Sequence, residues 1–314
     1  MTDRAVPREP PEPGHALSLR AADADVGAAA AALSDAPGER RRLGWVFWAC
    51  AGWVVLNVLA AVLAGVLPLQ NPEAQSTAIN AGPSAAHFFG TDDLGRDIFS
   101  RVIFGARVSL VVGFGAMAIG LAAGGTLGMV AAFRRGAVDT VVNAASYVLL
   151  AFPALLAVIA IVTFWGNELW KITVVLGVAS APIVFRIVRA ATLSYATRDF
   201  VTAAKALGAT DRRILLRELL PNILPTVVSF ALVGVATVMI LEGSLAFLGL
   251  SVPPPTPSWG NMLNESLNGL NNIPGQSNPW LVLFPALALF LFLLAVNLAG
   301  DRLRQHFDVS AVKL

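Results

Sequence analysis

Long stretches of this chain carry no charge at all. Leu43 to Pro72, Val108 to Phe133, Thr140 to Asn167 and Ser266 to Gly300 hold no Asp, Glu, Lys or Arg. Each is longer than the roughly 20 residues that a helix needs to cross the hydrocarbon core of a bilayer. Backbone N–H and C=O groups find no water there, so a spanning segment satisfies them within itself as a helix or by closing a barrel. A barrel reads as segments of roughly ten residues alternating apolar and polar, and no such alternation occurs. Two further runs are less clean. Ile172 to Phe185 is short and continues through Arg186 and Arg189, whose long stems can carry their charges to an interface, and Leu219 to Leu241 meets Pro221 and Pro225 early. The pattern predicts an all-α membrane protein with six transmembrane helices, starting near residues 45, 108, 140, 172, 226 and 281. Composition agrees, with 56% hydrophobic and 13% charged residues, against about 25% charged in soluble domains.

Basic residues set the orientation. With both termini in the cytoplasm, the segment up to Gly44 carries 6 Lys and Arg, Arg134 and Arg135 share one inner loop, Arg186 to Arg217 contribute 7 and the C-terminal end 3. Of the 22, only Arg96, Arg101, Arg107 and Lys171 then lie outside, so the positive-inside rule predicts cytoplasmic termini. Trp45 and Trp48 are expected at the inner interface, Trp165, Trp170, Trp259 and Trp280 at the outer one, and Trp53 within the first span. Residues 1–43 are rich in Pro, Ala and charges of both signs, the composition of a disordered cytoplasmic tail. Its "VGAAAAAL" is too weakly apolar for a signal-peptide core and its seven acids argue against a transit peptide, so the first span is expected to be an uncleaved anchor. The expected organisation is this tail, a first span with an external interfacial segment over 44–107, and a five-helix core over 108–314. A single cysteine, Cys50, within an apolar run, excludes a disulfide framework or a CxxC redox site. His15, His87 and His306 are scattered singly, and no metal site is expected.

The segment "DFVTAAKALGATDRRILLRELLPNILP", Asp199 to Pro225, falls in the longest cytoplasmic loop. Asp199 is placed to cap a helix with Phe200, Ala203, Ala204 and Leu207 on one face, and Gly208 to end it. Thr210 or Asp211 starts a second helix, with Ile214, Leu215 and Leu219 toward the membrane and Arg212, Arg213 and Arg217 toward water. Pro221 and Pro225 then turn the chain into the next span. A face of small residues lets another backbone come close, while an interfacial helix pair on anionic headgroups fits the same pattern. Before the second span, Ile98, Phe99, Val102, Ile103 and Ala106 make an apolar stripe, with Asp97 and Arg101 spaced to pair at i and i+4, as in a helix lying in the outer interface. "TDDLGRD" lacks the spaced ligands and terminal Glu of an EF-hand loop and reads as a paired-charge turn. Pro253, Pro254, Pro255 and Pro257 favour a stiff extended segment, either a docking surface for an external protein or a rigid connector. Glu242 is the carboxylate within a span. At a helix centre it would cost about 2.5 to 3.5 kcal/mol, so it must face protein or water; it is either a hydrogen-bonded residue fixing an outer gate or partner interface, or a substrate contact. Asp139, close to Arg134 and Arg135, reads as a helix-end charge.

"TAAKALGA" followed by "ELLP" resembles the EAA loop of bacterial ABC importer permeases, the helix that docks into the ATPase subunit. Ala203, Ala204, Gly208, Leu220 and Pro221 match it, while Thr202 stands where the family usually has Glu and Glu218 where an apolar residue or His is usual. "HFFGTDDLGRDIFSRVIFGARVSLVVG" from His87, "EGSLAFLGLSVPPPTPSWGNML" from Glu242 and "NLAGDRLRQHFD" from Asn297 are similar to segments of the C-type permease subunit of dipeptide and oligopeptide importers. Together the matches cover most of residues 45 to 310. The resemblance implies a type I ABC importer permease fold with a cytoplasmic coupling loop over 199–220, in the inner membrane of a bacterium. It implies alternating access moving di- or oligopeptides, or nickel complexes or glutathione as in relatives of similar pattern. The implied partners are a homologous permease subunit, one or two ATPase subunits holding ATP and Mg, an external substrate-binding protein and the lipid membrane, with no nucleic acid. No cofactor and no catalytic residue are expected on this chain, which has no GxxxxGK[ST] phosphate loop. By the same resemblance Phe200, Thr202, Ala203, Ala204, Leu207, Gly208, Leu220 and Pro221 couple to the ATPase. Asp92, Asp97, Arg101, Pro254 and Trp259 belong to the external docking side, and Glu242 to the translocation path or outer gate. The rival classes are an autonomous secondary transporter or channel and a membrane scaffold. Proton coupling normally places ionisable residues in the spans, where this sequence offers Glu242 alone.

Overall fold

In the computed structural model, which describes residues 43–272 and 278–311, regular structure is helical apart from one isolated bridge between Thr91 and Asp97. The helices are α1 (Trp45–Leu63), α2 (Ile98–Arg134), α3 (Gly136–Ala151), α4 (Ala154–Trp165), α5 (Leu169–Ala196), α6 (Asp199–Ala206), α7 (Asp211–Phe247), α8 (Trp259–Asn272) and α9 (Trp280–Ala311). α1, α2, α5, α7 and α9 are each long and apolar enough to cross a membrane, and α3 with α4, bent by 84°, meets the same criterion as a pair, a sixth pass when the two are counted as one broken span. Residues 43–308 of the described chain belong to one compact unit. The tail expected to be disordered lies, save Leu43, outside the described residues.

The span edges differ from the sequence expectation, each for a local physical reason. α2 is one helix of 37 residues, so residues 98–107 are its first turns and not a separate helix in the interface, and the expected boundary at residue 107 falls inside it. Its charges are satisfied where they stand. Arg107 donates from Nε to Ala61 O at 3.1 Å and from Nη2 to Val62 O at 3.2 Å, closing carbonyls at the C-terminal end of α1, where a cation is favoured. Asp97 does not pair with Arg101. Its carboxylate caps α2, accepting from Ser100 N at 2.8 Å, and meets His87 Nδ1 at 3.0 Å.

Prolines behave differently in these two passes. α7 stays helical through Pro221 and Pro225 rather than turning at them, and a π-turn over Ile214–Leu219 precedes them. There the Leu220 N–H bonds Leu215 O, five residues back, and the widened register accommodates a ring that lacks an N–H. Pro153 has no such preparation. Phe152 before it is extended at φ −81° and ψ 136°, as residues preceding proline tend to be, and the third pass breaks there. The sequence reading placed no helix at α8. Ser258 opens it, its Oγ accepting from Asn261 N at 3.1 Å.

α2 and α5 form the centre. Gly120, Gly124 and Gly128 recur every fourth residue along α2, and a Cβ on Gly128 would lie 2.6 Å from the Phe185 carbonyl oxygen. The two backbones therefore touch, as small residues allow in membrane helices. Met117, Met239, Val235, Phe292 and Val296 fill the core around them. α1 buries only Ala61 among its residues and turns Leu56, Leu59 and Val62 outward. Trp45 and Trp48 are exposed, as are Trp165 and Trp170 near the α4–α5 connection. Trp259 is not an interface marker: it is buried, with Nε1 donating to Val102 O at 2.9 Å. Trp280 packs with Ile98, Val102 and Leu281.

Candidate functional site

The loop between α5 and α7 is a folded unit. Arg198 occupies the N-cap position of α6 and Asp199 is the first helical residue, where a carboxylate still suits the positive end of the helix dipole. At the other end Gly208 takes φ +75°, with Gly208 N bonded to Lys205 O and Ala209 N to Ala204 O, both at 3.0 Å. This is a Schellman termination, which favours glycine because its left-handed conformation crowds a Cβ. Thr210 Oγ1 then accepts from Arg213 N at 3.4 Å and starts α7.

Val201, Ile214 and Leu219 are fully buried together, with Phe133, Tyr195, Phe200, Ala204, Ala209 and Leu215 packed around them. Ile214 and Leu219 therefore point into the loop's own core and not toward the membrane. Lys205 stands 5.0 Å from the Phe133 ring centroid, and the Arg198 guanidinium 4.5 Å from that of Tyr195. These contacts fasten α6 to the ends of α2, α5 and α7. The face expected to be uniform is divided: Phe200 and Ala204 turn inward, whereas Thr202, Ala203 and Leu207 are exposed, Leu207 by 88%. Leu220 is half-buried and Pro221 exposed. A force on α6 thus reaches α7, which continues unbroken to the other end of the bundle.

At that other end the charged side chains pair with one another. Arg96 Nε meets Asp92 Oδ2 at 2.6 Å, and Arg96 Nη2 and Arg101 Nη2 reach Glu265 Oε2 at 2.8 and 2.7 Å. Arg101 Nε lies 3.7 Å from Asp92 Oδ2. These contacts tie the 64–97 segment to α2 and α8. Asp92, Asp97, Arg101 and Trp259 are all buried, so they hold this end together and do not form a docking surface; Pro254 alone of the five expected residues is exposed. Nothing in the sequence marked these pairs, because Glu265 lies 169 and 164 positions from Arg96 and Arg101 along the chain.

Glu242 is 2% exposed. Its Oε1 accepts from Ser251 Oγ at 2.6 Å and Ser258 Oγ at 3.0 Å, and Asn261 Nδ2 donates to Val252 O at 2.6 Å. The carboxylate therefore anchors the proline segment to α7 and holds the residue that starts α8. Among the described residues no three His, Cys, Asp or Glu side chains are grouped to hold a metal ion.

A groove runs between α5 and α7. It comprises two adjoining hollows of about 400 and 470 Å³ that share Ile183, Ile187 and Phe230. Sequence reasoning sent Arg186 and Arg189 to an interface. Instead Arg189 grips Asp139 bidentately, Nε to Oδ1 at 2.5 Å and Nη2 to Oδ2 at 2.6 Å, joining α3 to α5, and Arg186 lies against Tyr147. Glu242 is therefore not the sole acid engaged within the passes. The spacing of Gly120, Gly124 and Gly128 was a signal available in the sequence; the Asp139–Arg189 pair left none.

Residues 124–311 match the family described as "Binding-protein-dependent transport system inner membrane component". The chain is 40% identical over 227 residues to the dipeptide transport system permease protein DppC of Alkalihalophilus pseudofirmus, covering 72% of this chain and 73% of that protein. It is 39% identical over 230 residues to the glutathione transport system permease protein GsiD of Pectobacterium atrosepticum, covering 73% and 75%. The corresponding protein of Escherichia coli is 41% identical over 230 residues, covering 73% and 74%. A chain of the inward-facing MetNI methionine ABC transporter superposes with a TM-score of 0.53 at 20% identity, covering 66% of this chain and 96% of that one. The six-pass helical arrangement expected of an ABC importer permease is the observed fold.

Proposed function

This chain belongs to the family of inner membrane components of binding-protein-dependent transport systems and is a membrane-spanning permease subunit, and we propose from that premise that it imports di- or oligopeptides by alternating access. It works beside a homologous permease, with one or two ATPase subunits that hold ATP and Mg and an external binding protein that delivers the substrate. Both termini are cytoplasmic, which puts α6 inside and the 64–97 and 248–279 segments outside.

The observation that carries the reading is α6: an exposed apolar edge, Ala203 and Leu207, on a helix packed firmly against the foot of α7. Such an edge is suited to a groove on an ATPase, and the rigid base lets closure of the ATPase pair tilt α7. A lever shifts an equilibrium only as far as its partner contacts the two states unequally. Thr202, in place of the usual Glu, leaves this contact without one ion pair but with its shape.

The test is uptake and binding-protein-stimulated ATP hydrolysis by the reconstituted complex. Leu207→Asp and Ala203→Asp put an unpaired charge into the contact, at a cost of several kcal/mol, and release or uncouple the ATPase. Arg212→Glu, on the exposed start of α7, does much less. Ala204→Asp is not informative, since Ala204 packs in the loop's own core. Normal uptake by Leu207→Asp with the ATPase still bound would refute the lever. A second reading, glutathione as substrate, is favoured by the relatives named for glutathione transport at 39% and 41% identity. Competition between glutathione and a dipeptide for uptake separates the two.

A further inference from the structure

One charged side chain in the α5–α7 groove, Arg186, forms no ion pair among the described residues. Arg186 is the sole charged residue among those lining the two hollows. The hydroxyls of Ser180 and Thr237, which also line the groove, donate within their own helices, to Gly177 O at 2.8 Å and Val233 O at 3.2 Å. Apart from these hydroxyls and that of Thr226, the groove presents apolar walls and one positive charge.

The contrast with Arg189, one turn further along α5, is informative. Arg189 is closed by the Asp139 carboxylate, whereas Arg186 forms no ion pair among the described residues and is exposed to the groove. Its guanidinium carbon stands 5.4 Å from the centroid of Tyr147, within cation–π range. Tyr147 is eight residues beyond Asp139 on α3, about 12 Å along the helix axis and deeper in the pass. Helical side chains lean toward the N-terminus of their helix, so Arg186 leans from the Ala196 end of α5 toward the middle of the bundle. Reaching headgroups at the Ala196 end would require it to turn against that lean. A cation held within a span is costly unless it faces water or an anion, and the groove supplies the place for both.

We propose that Arg186 selects the transported molecule by its carboxylate, the guanidinium holding the free carboxylate of a short peptide through two parallel N–H···O bonds as the peptide passes along the α5–α7 groove. The planar fork of arginine matches a carboxylate in this way, which the point charge of lysine does only in part. The inference rests on the peptide reading above. A dipeptide and glutathione both carry free carboxylates, so either substrate supplies the ligand. The apolar walls offer nothing specific to the side chains, and the contact discriminates the terminus and not the sequence.

The complete importer in lipid nanodiscs, without the binding protein, is labelled by a tripeptide bearing a photoactivatable diazirine, and trialanine competes against trialanine amide. In the wild type the free acid competes about tenfold better than the amide, the loss expected for one charge-assisted contact. Arg186→Gln abolishes the difference and Arg186→Lys retains part of it. Equal competition in the wild type, a preference that survives in Arg186→Gln, or no labelling of the groove overturns the proposal. So does loss of the homologous permease from the purified Arg186→Gln complex, which assigns the charge to a pair between subunits. So does an acid preference that is absent in phosphatidylglycerol and appears only when it is replaced by zwitterionic phosphatidylcholine, which assigns the arginine to an anionic lipid headgroup. Uptake of radiolabelled trialanine by the same wild-type complex with its binding protein separates the two readings. Without uptake the peptide reading falls; with uptake and no acid preference, only the role of Arg186 falls.

Discussion

Arg101 is 1% exposed, yet it keeps its charge company, with Glu265 at 2.7 Å and Asp92 at 3.7 Å. Removing one partner from a buried pair leaves the others uncompensated, a larger loss than the pair's own net contribution. Glu265 is 27% exposed, so water absorbs part of that loss. Arg101→Ala is expected to destabilise the detergent-solubilised chain by about 3 kcal/mol. Asp93→Ala is the control: Asp93 is 45% exposed and 4.0 Å from Arg96, and its loss is expected to cost less than about 1 kcal/mol. Denaturant unfolding of both variants decides, and equal effects would mean that the network is a solvated surface. The sequence showed charges here and paired Asp97 with Arg101, the neighbour one turn away. The fold chose Ser100 N and His87 for Asp97 because it sits at the helix start, where free N–H groups are within reach.

At the scale of elements, the close approach of α2 and α5 is the strongest constraint in the bundle. A methyl at Gly128 would press on the Phe185 carbonyl, which is backbone and cannot move aside. Gly128→Ala is expected to push the helices apart at a cost of about 1 to 3 kcal/mol, the usual penalty of overpacking. Gly208→Ala tests a different mechanism, because nothing lies within 4 Å of its missing Cβ and only φ +75° opposes the change. It should cost about 1 kcal/mol. Melting temperatures of the two variants against wild type would check this, and an unchanged Gly128→Ala would show that the two backbones do not touch. The end of α6 was legible because a glycine between two short amphipathic pieces has few other uses. The course of α7 was not, because a π-turn is a register change without a residue signature, and it converts two prolines from chain-turners into helix residues.

For the whole molecule the decisive quantity is which end faces the cytoplasm. Of 22 basic residues only Arg96, Arg101, Arg107 and Lys171 lie at the end proposed to be external. In a Cys50→Ala background, a cysteine replacing the exposed Ala85 should react with an impermeant thiol reagent added outside intact cells, and one replacing Ala206 should react only after permeabilisation. The opposite pattern would invert the chain and remove α6 from any cytoplasmic ATPase.

The number of passes, their helical nature and the existence of a folded loop near Gly208 were determined by sequence alone. Each follows from a local requirement: backbone groups in lipid must bond within their own segment, and a helix ending in a left-handed residue favours glycine. Tertiary structure decided which charges are spent on the fold and which remain available. Glu242 reads from sequence as either a hydrogen-bonded support or a substrate contact, and only the fold brings Ser251 and Ser258 to its carboxylate. Arg189 reads as an interface residue until Asp139, fifty positions earlier, closes on it. Pairing depends on distance through space, which residue spacing does not encode between elements, and it is what leaves Arg186 facing the groove unpaired.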